Sequence, residues 1–327
     1  MRRRHARATG AVPALVLACA ALGASAQVPV DPPADGTLEV LKVQGNVWLI
    51  AGAGGTIAVQ AGDQGVIVVD TGSNGATEQV LAAIRGISAR PIRYIINTSA
   101  APQHAGGNAG LGAPKSGARP GIIAHEQVYT RMARAGADGQ SAFPADAWPT
   151  DAYYAPQRKL VFNGEAIDIV HMPRAYSDGD SIVYFRGSNV LVTGDLFTTT
   201  SLPMIDRAQG GTYAGLLAAL RRLLDLAAPD DLMEGGTYVI PGHGRIGDAA
   251  DLVEYHDMAY QIRDRVQKLA SQGKTLAEIK AARPVLGWEG RYGRPGWTVD
   301  LFLDALYPEL APPPAPASRP QNPRRQP

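Results

Sequence analysis

YIINTSAAPQHAGGN, running from Tyr94 to Asn108, joins an apolar strand to a polar loop. The run Tyr94 to Ile96 has the apolar, β-branched character of a strand buried on both faces. Asn97-Thr98 ends it. Gly106-Gly107 closes the loop, since glycine lets backbone turn sharply or press against backbone. An α/β protein carries its chemistry on such loops, at the carboxyl ends of strands. Here the loop offers His104, with Ser99, Ala101 and Gln103 around it.

Upstream, Leu38 to Val43, Asn46 to Ala51, Thr56 to Gln60 and Gly65 to Asp70 are short β-rich runs. Gln44-Gly45 and Gly62-Asp63 supply turns, so the runs predict an antiparallel meander. Val80, Leu81, Ile84 and Ile87 recur at three- and four-residue steps, an amphipathic helix that Pro91 stops. Downstream, a strand over Ile122 to Ala124 and a helix over Glu126 to Ala135 precede an irregular segment, Gly136 to Gln157. Its Trp148, Tyr153 and Tyr154 suit either a substrate lid or a loop pinned to the sheet. Lys159 to Asn163 pairs with Ala166 to His171, and Ser181 to Arg186 with Asn189 to Thr193, through turns at Gly164-Glu165 and Gly187-Ser188. Leucines 216, 217, 220, 223 and 224 mark a helix over Thr212 to Ala227. Tyr238 to Ile240 is the last strand and runs into Pro241-Gly242-His243-Gly244. Ala249 to Ser271, Thr275 to Ala282 and Val299 to Leu306 then read as helices. Two β-rich halves, each with helices for one face, predict an α/β (α+β) fold: a four-layer αββα sandwich with a C-terminal helical extension packed on it.

With 327 residues, 45% hydrophobic and 19% charged, the chain is of globular composition. A net charge of +1 and few aromatics give no case for nucleic acid. Arg2, Arg3, Arg4 and Arg7, the apolar Ala11 to Leu22 and the small residues Ala24-Ser25-Ala26 form a signal peptide with cleavage before Gln27. That implies a periplasmic or secreted protein with no transmembrane segment in the mature chain. Cys19, the single cysteine, offers a second route through lipoprotein processing. The expected organisation is signal peptide 1–26, Pro-rich leader 27–37, main domain 38–248, helical extension 249–310 and a disordered Pro-rich tail 311–327.

Four stretches, in order and each at a strand end, resemble the metallo-β-lactamase superfamily. They are VIVVDTG at Val66 to Gly72, the Tyr94 to Asn108 stretch, TGDLF at Thr193 to Phe197, and IPGHG at Ile240 to Gly244. The resemblance spans about Leu38 to Gly244 and implies the αββα fold. In that family seven side chains hold two zinc ions that activate a bridging water for hydrolysis. The family's loop reads Thr-His-x-His-x-Asp-His-x-Gly-Gly. Laid on it residue by residue, Ser99 and Ala101 stand at the first two His, Gln103 at the Asp and His104 at the last His. Tyr176, within RAYSDGDS, stands where the first metal's third His lies; Asp195 and His243 match the shared Asp and the final His. The resemblance gives Asp70 a bracing role through hydrogen bonds.

Alanine has no donor atom, and hydroxyls that titrate far above neutrality compete poorly with water for zinc. The first metal position is therefore expected to be degraded, and Gln103 leaves only a neutral carbonyl at the second. His104, Asp195 and His243 still form a two-histidine, one-carboxylate set suited to one zinc or another divalent metal. Two readings stay open. In one, the protein is non-catalytic or ligand-binding, with no cofactor, a hydrogen-bonded remnant at these residues and an unidentified small molecule in the cleft. In the other, it is a mononuclear-metal hydrolase of an ester, thioester or amide. His125 and His171 lie at strand ends outside the pattern, and His256 on a surface helix. Ser99 and His104 lack the third partner of a nucleophile–base pair.

Overall fold

The computed structural model describes residues 37–113, 118–135, 141–229, 235–294 and 296–311. The segments expected as signal peptide, leader up to residue 36 and tail from residue 312 lie outside the described residues. Strands β1 (Glu39–Gln44), β2 (Val47–Ala51), β3 (Ile57–Gly62) and β4 (Gly65–Val69) form the antiparallel meander. Helix α1 (Thr77–Ile87) then returns the chain to β5 (Ile92–Ile96), parallel to β4. Short α2 (Pro102–Ala105) and α3 (Asn108–Gly112) lead to β6 (Gly121–His125), α4 (Glu126–Ala133) and β7 (Asp151–Tyr153). These seven strands make one sheet in sequence order, parallel from β4 onward.

The second sheet runs β12-β11-β10-β9-β8. Its strands are β8 (Gln157–Phe162), β9 (Glu165–His171), β10 (Ser181–Phe185), β11 (Val190–Val192) and β12 (Tyr238–Ile240). Helix α5 (Tyr213–Leu226) connects β11 to β12, which lie parallel. Helices α6 (Ala249–Ser271), α7 (Leu276–Ala281) and α8 (Val299–Leu310) follow. Side-chain caps set their starts: Thr212 accepts from Gly215 N, Asp248 from Asp251 N, and Thr275 forms a capping box with Glu278.

Period-two alternation distributes the strand residues between layers. Ile67, Val69, Ile96 and Ile123 of the first sheet meet Ile169, Val183, Val192 and Ile240 of the second. Their neighbours Val66, Val68, Ile95 and Ile122 face α1 through Val80 and Ile84. Ile182, Leu191 and Val239 turn the other way, onto Leu216, Leu220, Tyr255 and Ile262 of α5 and α6. Each such buried aliphatic contributes about 2 kcal/mol over an exposed one. Helix, sheet, sheet, helix is the expected four-layer order. Among the described residues no helix is long and apolar enough to cross a membrane.

The segment read as irregular holds a strand instead. Residues 151–153 run parallel to β6, with Tyr153 buried and its hydroxyl 2.6 Å from Ser181 Oγ. Tyr153 therefore ties the two sheets together and is no part of a lid. Trp148 is pinned by its Nε1 donating to Phe143 O, while Tyr154 is 75% exposed. The β8–β9 turn sits one residue earlier than the glycine suggested, with Asn163 and Gly164 both at positive φ, 49° and 82°. That is the pair of left-handed residues a tight two-residue hairpin needs.

Candidate metal centre

Asp70, His104, Asp195 and His243 follow the carboxyl ends of β4, β5, β11 and β12, one parallel strand pair from each sheet. Asp70 adopts φ 62°, a left-handed conformation that Asp tolerates better than most residues. This turns its carboxylate across to the next strand. Oδ1 accepts from Thr98 N at 2.8 Å and Oδ2 from Thr98 Oγ1 at 2.7 Å. The His104 loop is pressed onto the strand end: Thr71 N donates to His104 O at 2.7 Å. A Cβ on Gly107 would lie 2.5 Å from Thr71 O, so only glycine permits that approach. His243 is held through its carbonyl, which accepts from Thr198 Oγ1 at 3.1 Å. Thr56 couples the sheets, donating to Gly242 O through N at 3.0 Å and to Pro241 O through Oγ1.

These supports bring three donor atoms together. His104 Nε2 lies 3.0 Å and His243 Nε2 3.2 Å from Asp195 Oδ1. All three side chains are buried, and their ligand atoms lie within 4.8 Å of one another. Yet none of the three atoms makes a well-aligned hydrogen bond. Close approach without alignment means that lone pairs converge on a shared point. A tetrahedral zinc with bonds of about 2.0–2.1 Å has ligand–ligand edges of about 3.3 Å, close to the spacing here. The opposite ring nitrogen, His104 Nδ1, lies 2.8 Å from Asp70 Oδ2. That is the carboxylate–histidine arrangement which leaves Nε2 free to ligate.

The electrostatics point the same way. Burial opposes charge on His104, but Asp195 and Asp70 override it and raise its pKa well above the ordinary histidine value. Burial likewise opposes charge on Asp195, and His104 and His243 override it, holding the carboxyl well below the usual range. The three converging donors, two histidine nitrogens and one carboxylate oxygen, fit one divalent cation.

Among the described residues no second group of this kind is found. Ala101 carries no donor. Ser99 Oγ accepts from Ala101 N at 3.3 Å, so it forms no pair with His104. Gln103 Nε2 donates to Asp195 Oδ2 at 3.2 Å. Burial, then the charge of Asp195, pushes the Tyr176 phenol above its ordinary pKa.

Two histidines outside the cluster form a unit that sequence reasoning missed. His125 and His171 stack with ring centroids 3.6 Å apart and planes 4° from parallel. Burial, and for His125 the neighbouring ring, lowers both pKa values, that of His125 to about 4. His125 Nδ1 caps α4 by accepting from Gln127 N, and His171 Nδ1 lies 3.1 Å from Asp180 O. The one signal in the sequence was that both stand at strand ends. His256 sits on α6 beside Asp257 and Tyr260, away from the centre.

A family model described as the metallo-beta-lactamase superfamily matches residues 41–243. No curated protein matches the chain. Among solved structures, the stereoselective inverting sec-alkylsulfatase from Pseudomonas sp. aligns at 15% identity and TM-score 0.62, covering 83% of this chain. This chain spans 50% of that enzyme's length. A metallo-beta-lactamase from Pontibacter korlensis aligns at 17% identity and TM-score 0.53, over 68% of this chain and 99% of the other. The DIM-1 metallo-beta-lactamase gives 17% and 0.52, over 68% and 97%. At such identities the likeness concerns the fold.

Proposed function

Since the chain belongs to the metallo-beta-lactamase superfamily, we propose that it is a hydrolase of that fold built around one divalent cation, acting on an ester, thioester or amide. The observation that carries this reading is the trio of buried donor atoms on His104, Asp195 and His243, mutually close and without hydrogen bonds. Two histidines and one carboxylate are a sufficient protein set for a catalytic zinc, because they leave a position open. Bound there, the cation would supply Lewis acidity toward water and the scissile carbonyl.

The chain's own residues do the rest. Asp70 holds the proton on His104 Nδ1, so that Nε2 keeps its lone pair. Asp195 Oδ1 faces the two histidines, while Gln103 Nε2 holds Oδ2, so the carboxylate stays turned toward the cation. Ala101 and Tyr176, at positions where the family has histidines, supply no ligand for a second cation.

Metal content after purification without chelator tests the reading. One equivalent per chain is expected, falling to none in His243→Ala together with any esterase turnover. Two tightly held metals would refute it. A second reading has an observation of its own: His104 between two carboxylates is already partly charge-compensated. No metal in the wild type, with His243→Ala folding as before, would favour a metal-free ligand-binding protein.

A further inference from the structure

An asparagine followed by glycine is prone to covalent change, because glycine has no Cβ to hinder its nitrogen from reaching the asparagine side chain. The pair occurs twice in the chain, at Asn74-Gly75 and at Asn163-Gly164. Their surroundings differ sharply. We infer that Asn74 is a site of spontaneous deamidation in the folded protein and that Asn163 is protected by the fold. The inference stands apart from the hydrolase reading.

Asn163 begins the turn of the β8–β9 hairpin, and its carboxamide is fully engaged. Nδ2 donates to Gln60 Oε1 at 2.9 Å and to Gly65 O at 3.0 Å, while Oδ1 accepts from Gln64 N at 3.0 Å. Its backbone N donates to Gln64 Oε1 at 2.6 Å. Gly62 presses on the same group, since a Cβ there would sit 2.5 Å from Asn163 Cγ. Asn163 and Gly164 also hold the positive φ values that the tight turn demands. For Cγ to swing onto Gly164 N, all the carboxamide bonds must break and the hairpin must open.

Asn74 has none of these restraints. It and Gly75 are exposed, in the short helical turn Asn74–Ala76 that runs into α1. Among the described residues its carboxamide has no hydrogen-bond partner. Thr77 holds only the backbone carbonyl of Asn74, through N and through Oγ1 at 2.7 Å. Gly75 N lies in the first turn, where amides have no acceptor within the helix. A Cβ placed on Gly75 would meet nothing within 4 Å, so the peptide has room to turn. A single turn also resists little, since so small a helical nucleus is unfavourable by itself.

In the reaction, Gly75 N loses its proton and bonds to Asn74 Cγ. The bond from Cγ to Nδ2 breaks, and ammonia leaves with that proton, closing a five-membered succinimide. Water then opens the ring. Breaking the bond from Gly75 N to Cγ gives an aspartate. Breaking the bond from Gly75 N to the former backbone carbonyl carbon gives an isoaspartyl linkage. Either product sets a carboxylate at the amino end of the helical run into α1, where the helix dipole favours negative charge.

Peptide mapping of the full chain by mass spectrometry, after storage at mildly alkaline pH, tests this. The peptide holding Asn74 is expected to gain the mass difference between an amide and an acid and to resolve into aspartyl and isoaspartyl forms. The intact protein is expected to gain a more acidic band on isoelectric focusing. The peptide holding Asn163 is expected to stay unchanged in the folded protein and to gain the same mass once guanidinium chloride unfolds it. Gly75→Ala, for which the backbone has room, is expected to suppress the change at Asn74 in the folded protein. Modification of Asn163 in the folded protein as fast as that of Asn74 would overturn the inference. So would an Asn74 that reacts only after unfolding.

Discussion

Asp180→Asn is expected to stabilise the protein more, relative to wild type, the higher the pH. Burial pushes the Asp180 carboxyl from its ordinary 3.8 up to about 8, against the pull of the two Ser177 hydrogen bonds. Asp195 and Asp178 add to the rise. A group whose folded pKa exceeds its unfolded one contributes stability that is fully present below the unfolded value. That contribution is lost as pH climbs through the folded value. The window is therefore about pH 4 to 8, and the slope at most about 1.4 kcal/mol per pH unit. Between pH 5.5 and 8 the wild type should lose roughly 3 kcal/mol that the amide, which does not titrate, retains. The amide keeps both contacts, with Oδ1 accepting from Ser177 N and Nδ2 donating to Ser177 Oγ. Urea unfolding of both proteins at pH 5.5, 7 and 8 measures the difference directly. Thermal melts should diverge by about 2–4 °C per kcal/mol. A stability difference that stays constant with pH would show that Asp180 does not titrate in this range.

Two other substitutions probe the centre itself. In Asp70→Asn the one remaining oxygen keeps the contact with Thr98 N and turns Nδ2 toward His104 Nδ1, so the ring proton moves to Nε2, the atom facing Asp195; zinc affinity by calorimetry should weaken about 10–100-fold, and an unchanged affinity would show that Asp70 does not set the tautomer. Gln103→Asp replaces a donor to Asp195 with a second carboxylate, costing the metal-free protein up to about 4 kcal/mol and tightening the cation. Its melting temperature should fall without zinc and rise further than wild type's with it; equal zinc-induced shifts would contradict that.

How much of this was legible in the sequence depends on how local each cause is. Strand β4 and the Ile95-Ile96 end of β5 are legible because burial on both faces demands unbroken apolar runs, and α5 because its leucines repeat at helical spacing. β7 is not legible: Asp151-Ala152-Tyr153 has no pattern of its own and is a strand only because β6 offers an edge. His104, Asp195 and His243 could be named as candidates since each lies in the loop after a strand, beside glycines that record a tight backbone path. Their convergence on one Oδ1 depends on how the two sheets register, which no single stretch encodes. The His125–His171 stack lies further still from local cause, joining the end of one sheet's strand to the end of the other's.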